Sequence, residues 1–331
     1  MRVTHSQIAK IAGVSRSLVS MALKGSTRVD KKTREKIEKI AQDLGYRPNL
    51  LIKSIQTGRS MTVGVVIRAQ RSFFGQMLSG VQDTLEEHDY LPIALSVSNR
   101  MSVVEQIMRL IDQRVDGIII KPEEQLCAES LEKVLKFNIP IVTVDNYVQG
   151  NTKVDFSGSH DAMIGQIAAE HLLELGHKKL AVQSVRNQLH LANRVDAFKR
   201  TVESAVAEYR IFEMDDFEDD LDSKALVNND FKPTGIFFVA DTLAGEFINA
   251  AKTMNISIPD DISVIGAANM ELAKYTCPSL TSIEQHPYNI GSNAAKLLID
   301  RLKTNSTTSR GQYILEMPEL IIRNSTAPAR S

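Results

Sequence analysis

The chain has 331 residues, 43% hydrophobic and 24% charged, with a net charge of −1; this is enough apolar material for substantial cores and excludes a disordered or collagen-like chain. At roughly 100–200 residues per domain, two or three folding units are expected, built mostly from aliphatic side chains because Trp is absent. Cys127 and Cys277 are too few for a disulfide framework, and no apolar run is long enough to span a membrane or to act as an export signal, so the expectation is a cytoplasmic protein with two buried, inert thiols.

The first 47 residues show helical punctuation and no strand signal. Thr4 and Gln7 form a T-x-x-Q capping box before Ile8, Ala9, Ile11 and Ala12, and Gly13 supplies a left-handed stop, so a helix is predicted over about His5–Ala12. Ser15 is the N-cap of a second helix with Leu18, Val19, Ala22 and Leu23 inward, ending near Gly25. Two short helices joined by AGVS read as helix-turn-helix. Asp30 caps a third helix carrying Ile37, Ile40, Ala41 and Leu44, closed by Gly45. Charge marks the same boundary. Residues 1–60 hold 13 Lys+Arg against 4 Asp+Glu, a surplus of +9, and residues 61–331 hold 26 against 36, a balance of −10. A basic head on an acidic body is expected when one end meets a polyanion.

From Thr62 onward β-branched runs alternate with amphipathic helices, the pattern of βαβ units and buried parallel sheets. Strands are predicted at 63–67, 92–97, 117–120 and 140–144, with helices near Gly75–Glu87, Val103–Gln113 and Leu126–Phe137. A second series has strands at 179–185, 209–214, 235–239 and 262–267, with helices near Gly165–Leu175 and Leu243–Met254. Two doubly wound lobes follow, and ligands bind beyond the carboxyl ends of such strands, so facing lobes make a cleft. The acidic run 213–222 reads as a solvated loop, and His160-Asp161 as a helix start. The sequence holds no H-E-x-x-H, G-x-S-x-G or Walker loop, so neither catalysis nor a cofactor is expected.

Residues 3–49 carry AGVS, VS at 19–20, TR at 33–34 and YRPN at 46–49, and over this whole length they resemble the headpiece of the LacI/GalR (lactose/purine/galactose repressor) family. RVDGIII (114–120), ELGHKKLAV (174–182), ADTLAG (240–245), IPDDISVIG (258–266) and LTSIEQ (280–285) are looser matches to that family's core. The resemblance implies an α/β chain: a helix-turn-helix headpiece (1–47), a hinge helix and linker (48–60), and a periplasmic-binding-protein-like type I core of two doubly wound parallel-sheet lobes (61–331). Lobe one takes about 61–158 and 290–318, and lobe two about 159–289 and 319–331.

The second helix of a helix-turn-helix lies in the major groove with its first residues against base edges. That points to Arg16 and Ser17, with Ser20 and Met21 one turn on; Arg16 can grip guanine O6 and N7, or alternatively a phosphate, and Met21 offers apolar contact. Thr4, Ser15, Lys24, Thr27, Arg28, Thr33, Arg34 and Asn49 complete the expected DNA contacts. In the hinge, Lys53 is expected on the backbone, and Ile55 stands where the family inserts a leucine wedge into the minor groove. For the cleft, the resemblance implies Phe73, Phe74, Asp145, Gln188, His190, Arg194, Phe237, Asp241 and Asn269 as effector contacts. Ala268 and Ser159 replace acids common in the family, and Arg194 with His190 suggests an anionic ligand.

The implied function is a sequence-specific transcription regulator, acting as a repressor. It would bind a pseudo-palindromic operator in double-stranded DNA as a homodimer, under control of a small-molecule effector such as a sugar, sugar phosphate or nucleobase. Two alternatives stand beside it: a catabolite-control-type regulator with a phosphoprotein co-regulator, and an α/β enzyme or solute-binding protein with a basic appendage.

Overall fold

Apolar residues at helical spacing close the amino-terminal unit, Met1–Ser60, and β-branched runs build the second, Met61–Ser331. The computed structural model describes residues 3–23, 25–46, 58–67, 72–96, 101–122, 126–217, 219–304 and 310–330. In the first unit α1 (His5–Ala12), α2 (Arg16–Leu23) and α3 (Lys31–Asp43) converge on Ile8, Val19, Ala22 and Ile37, all fully buried. The stops are chemical. Gly13 sits at φ +70°, a conformation that costs glycine nothing, and the Asp30 carboxylate accepts the Thr33 N–H at 3.0 Å to start α3.

The second unit alternates strands and helices: β1 (Thr62–Val66), α4 (Ser72–Glu86), β2 (Leu91–Leu95), α5 (Val103–Asp112), β3 (Gly117–Ile120), α6 (Ala128–Leu135), β4 (Ile141–Val144) and β5 (Asp155–Ser159). Then come α7 (Asp161–Glu174), β6 (Lys179–Val185), α8 (Leu189–Ser204), β7 (Glu208–Met214), α9 (Ser223–Val227), β8 (Gly235–Phe238), α10 (Asp241–Thr253), β9 (Ser263–Ala267), α11 (Leu272–Tyr275) and β10 (Thr281–Glu284). The chain closes with α12 (Pro287–Thr304), β11 (Tyr313–Glu316) and β12 (Glu319–Ile321).

Two six-stranded sheets result, ordered β11-β5-β4-β3-β1-β2 and β12-β10-β9-β8-β6-β7. All pairings are parallel except that of β10 with β12. Both sheets are buried on two faces, which is why β1, β3 and β8 are continuous apolar runs. The chain passes between the sheets three times: after β5, between β10 and α12, and between β11 and β12. Helix α12 returns to the first sheet, where Arg301 grips the buried Asp155 carboxylate at 2.6 and 2.7 Å. Its Gly291 lies so close to α4 that a Cβ there would stand 1.9 Å from the Met77 carbonyl oxygen.

One sequence expectation is overturned: Cys127 and Cys277 are both exposed. Cys127 is the residue before α6, a cap position that faces solvent, and Cys277 lies in a surface turn before Pro278. Among the described residues no helix is long and apolar enough to cross a membrane.

Candidate functional site

The helix expected to meet DNA is α2, the second of the first unit. Ser15 caps it, its hydroxyl accepting the Leu18 N–H at 3.1 Å and lying 2.9 Å from the Ser17 hydroxyl. Arg16 and Ser17 are exposed, whereas Ser20 is half-buried and Met21 packs partly against the three-helix core. Thr27 and Arg28 are exposed in the α2–α3 connection, and Thr33 is half-buried in the first turn of α3. Thr4 is exposed, with its hydroxyl 3.2 Å from the Gln7 side-chain oxygen that also accepts its N–H at 2.8 Å.

Arg34 behaves differently from the expected backbone contact. Its guanidinium turns inward, donating to the Ser26 carbonyl at 2.7 Å and the Val29 carbonyl at 3.2 Å, and so pins the α2–α3 connection. Two further braces went unread in the sequence. Lys36 reaches the Ala12 carbonyl at 2.9 Å, and Tyr46 holds His5 through a 2.7 Å hydroxyl–imidazole bond. Tyr46 belongs to the YRPN segment, which was the available signal. Lys24, Asn49, Lys53 and Ile55, and residues 48–57 of the expected hinge, lie outside the described residues.

In the second unit the carboxyl ends of β3, β4 and β5 and the first turns of α7 and α8 bring polar groups together. Lys121 follows β3 and meets Asp145, which follows β4, at 3.7 Å; both are buried, and the Lys121 ammonium also sits 5.3 Å above the Phe74 ring. Asp145 takes a left-handed backbone, φ +63°. From the second lobe, His190 and Arg194 lie one turn apart on α8, both buried. The Arg194 guanidinium donates to Asp161 at 2.8 Å, the Val239 carbonyl at 2.8 Å and Gln285 at 3.0 Å.

Burial dominates the electrostatics here. It pushes the Asp161 carboxyl up to about 6 against the pull of Arg194. Burial also pushes the His190 imidazolium down to about 3, a shift that nearby Asp145 opposes and Arg194 and Lys121 reinforce. His190 is therefore neutral at physiological pH. Its Nδ1 and the Ser159 hydroxyl, at the end of β5, are two of only four buried side-chain atoms without a hydrogen-bond partner among the described residues.

Other expected contacts are placed elsewhere. Phe73 and Phe74 belong to α4, which begins three residues earlier than its periodicity suggested; Phe73 is buried in the lobe-one core, and only Phe74 reaches Lys121. Phe237 is fully buried and stacks on Phe198 at 5.6 Å. Asp241 is equally buried, with its oxygens accepting the Ser282 hydroxyl at 2.6 Å and the Met270 N–H at 2.7 Å, and burial pushes its carboxyl up to about 6. Asn269 spends its amide on Glu284 and Arg323, at 2.8 and 2.6 Å, and Gln188 stands half-buried before α8. Lys121, Asp161 and Gln285 were not expected in this polar cluster. A polar residue directly after a parallel strand, as Lys121 is, was the legible signal for one of them.

The family model of bacterial regulatory proteins, lacI family, matches residues 5–49, and that of the periplasmic binding protein-like domain matches residues 169–326. The chain is 27% identical over 336 residues to an HTH-type transcriptional repressor PurR from Vibrio atlanticus, covering 98% of each chain. It is 28% identical over 330 residues to a ribose operon repressor from Haemophilus influenzae, covering 97% of this chain and 98% of that one. Among solved structures it shares the fold of a lac repressor dimer bound to operator and the anti-inducer ONPF, with TM-score 0.86 and 22% identity over 99% of this chain and 100% of that one.

Proposed function

We propose that this chain, whose residues 5–49 match the family model of bacterial regulatory proteins, lacI family, represses transcription by seating α2 in the major groove of a pseudo-palindromic operator, as a homodimer whose grip a small ligand between the lobes adjusts. The relatives named above are repressors, and one solved homologue is a dimer on its operator, which supports this reading. Residues 1–47 would read bases, 48–60 would act as hinge, and 61–331 would sense and dimerise. Such work belongs in the cytoplasm, beside DNA, and needs neither catalysis nor a membrane.

The observation that carries the reading is the first turn of α2: a capped helix start that leaves Arg16 and Ser17 exposed in a unit with a charge surplus of +9. Arg16 is the base-reading residue, with Ser17, Ser20 and Met21 beside it. Thr27, Arg28 and Thr33 position the unit on phosphates. The test is fluorescence anisotropy with fragments from upstream of the chain's own operon against random duplex. A preference of roughly a thousandfold or more is expected at physiological salt, and equal binding to both would reject the proposal.

A further inference from the structure

Residues 323–330 form no helix or strand, yet every one of them but Pro328 is bonded to the base of the second sheet, around the amino ends of β9 and β10. The Arg323 N–H donates to the Thr281 hydroxyl at 2.9 Å and the Asn324 N–H to the Ser279 carbonyl at 3.0 Å. The Ser325 carbonyl accepts the Val264 N–H at 2.7 Å, while its hydroxyl accepts the Thr281 N–H at 2.8 Å and donates to the Val264 carbonyl. Ala327 exchanges two bonds with the Ser263 hydroxyl, at 3.0 and 3.1 Å, and the Ala329 N–H reaches the Leu175 carbonyl at 2.8 Å. Ser325, Ser263 and Thr281 are fully buried, so these bonds are closed to water.

Two buried histidines close the joint, and they differ in what a proton would do. His177 Nε2 lies 3.1 Å from the Ala327 carbonyl, which only accepts, so that nitrogen carries hydrogen. Its Nδ1 takes the Thr234 hydroxyl at 3.0 Å; with Nδ1 protonated as well, that hydroxyl can turn to the Lys179 carbonyl at 3.4 Å, and the grip on Ala327 holds. His171 Nε2 lies 3.0 Å from the Thr326 hydroxyl, which lies 3.0 Å from Thr281 Oγ1. Thr281 Oγ1 already accepts the Arg323 N–H, so its own hydrogen goes to Thr326, and the Thr326 hydrogen to a bare His171 Nε2. A proton on Nε2 reverses this chain and leaves the Thr281 hydrogen without an acceptor among the described residues, in a side chain with no exposure, which is costly. Burial already holds the His171 imidazolium below its ordinary range; Glu174, one turn on in α7, opposes this and His177 adds to it. The strands beneath α7 bring no charge here, since β8 is apolar and β9 and β10 begin with Ser263 and Thr281. On α8, Arg194 is paired with Asp161 and Lys199 with Glu203, and near the chain end Arg323 is bonded to Asn269 and Arg330 to Asp260 and Asp261.

We propose that residues 323–330 form an acid-released strap: a proton taken up at His171 undocks them from the amino ends of β9 and β10 while the rest of the chain stays folded. His177 is the anchor and His171 the trigger. The docked strap holds a neutral His171, so docking is at full strength above pH 6.5 and is lost as pH falls below it. Acidity thereby becomes an input to the second unit, separate from any ligand and from what the first unit binds.

The test is amide hydrogen exchange of the full chain, read by mass spectrometry at about pH 7.5 and pH 5.5 and corrected for the intrinsic pH dependence of exchange. At both pH values the amides of Arg323, Asn324, Ala327 and Ala329 should be less protected than those of β6 and β8, because the strap opens by itself. An undocked histidine with its ordinary value of about 6.5 is about nine-tenths protonated at pH 5.5, so a docked strap that refuses the proton loses about tenfold against the open form. In His171→Gln the side-chain oxygen accepts the Thr326 hydroxyl at any pH, and His177 and every other titrating group are retained. Strap protection should therefore fall about tenfold more in the wild type than in His171→Gln between the two pH values. A strap as well protected as β6 and β8, or an equal fall in the two proteins, would overturn the inference. Should His171→Gln not fold, hydrogen exchange at the imidazole C2 carbon of the wild type decides: His171 should take up its proton over the pH range in which the strap loses protection, and a protonated His171 beneath a strap still protected would overturn it.

Discussion

Helices α7 and α8 approach closely enough that Gly165 touches the backbone of Arg194, and that contact sets the Asp161–Arg194 pair. A Cβ on Gly165 would stand 1.9 Å from the Arg194 carbonyl oxygen and 2.7 Å from its carbonyl carbon. Neither atom can rotate away, because both belong to the helix. Relief to an ordinary contact requires the helices to part by about 1 Å, an overpacking that costs roughly 3 kcal/mol. The better helix propensity of alanine returns about 1 kcal/mol, so Gly165→Ala should lose about 2 kcal/mol net. The melting temperature should fall by about 4–8 °C. Gly75→Ala is the matched control: it is also a mid-helix glycine, with nothing within 4 Å of its Cβ direction, and it should gain about 0.5–1 kcal/mol. Urea unfolding followed by circular dichroism compares the three proteins. A Gly165→Ala midpoint at or above wild type, or an equal loss in Gly75→Ala, would refute the argument that α7 and α8 are locked together by their close approach at this point.

Three further outcomes are expected. Arg16→Ala should weaken binding to the preferred duplex roughly tenfold to hundredfold and relax preference at one base position, measured by anisotropy across single-base variants; uniform weakening would assign Arg16 to phosphate instead. Arg34→Ala should lower the melting temperature of the headpiece, because it releases the Ser26 and Val29 carbonyls, and should leave the salt dependence of DNA binding unchanged; a flatter salt slope with unaltered stability would show that Arg34 contacts phosphate. His190 carries a pH signature. Its folded value is pushed down to about 3 from an ordinary 6.5, so the unfolded chain takes up the proton first. The stability held in full above pH 6.5 is therefore lost as pH falls towards 3, by about 2 kcal/mol at pH 5. Asp161 and Asp241, raised to about 6, change stability in the opposite sense in both proteins, so a comparison of wild type with His190→Gln isolates the histidine. The drop in melting temperature from pH 7 to pH 5 should be about 4–8 °C smaller in His190→Gln, and an equal drop would count against a buried neutral imidazole.

The headpiece was legible because its boundaries are written in local chemistry: Ser15, Asp30 and Gly13 each start or end a helix by a bond to nearby backbone, and Thr4 by bonding the Gln7 side chain. The central strands were legible for a different reason, since β3 and β8 are buried on both faces and must be apolar throughout. The strands β5, β10, β11 and β12 were not found. DFSGS has only one large apolar residue, and the edge strands YILE and ELI take their place from partners far away in the chain, information that no local window contains. The polar cluster at the strand ends was half legible for the same cause. Asp145, His190 and Arg194 could be picked as polar residues after strands, but whether a guanidinium is free or spent depends on Asp161, Val239 and Gln285, up to 91 positions away.

The manner in which Arg194 is spent bears on how a bound ligand is sensed. The three passages between the lobes are short, and side chains tie them to one another. Arg194 bonds Asp161, at the first passage, and Gln285, at the second. The His160 N–H donates to the Glu316 carbonyl at 3.0 Å, joining the first passage to the third, and Asn293 of α12 holds the Glu316 side chain at 2.5 Å. His190 lies one helical turn before Arg194 on the same face of α8, so it shares a rigid turn of helix with the group that clamps two passages. A ligand shifts lobe closure only by its difference in affinity between the two arrangements. Packed passages of this kind switch between discrete arrangements instead of bending continuously.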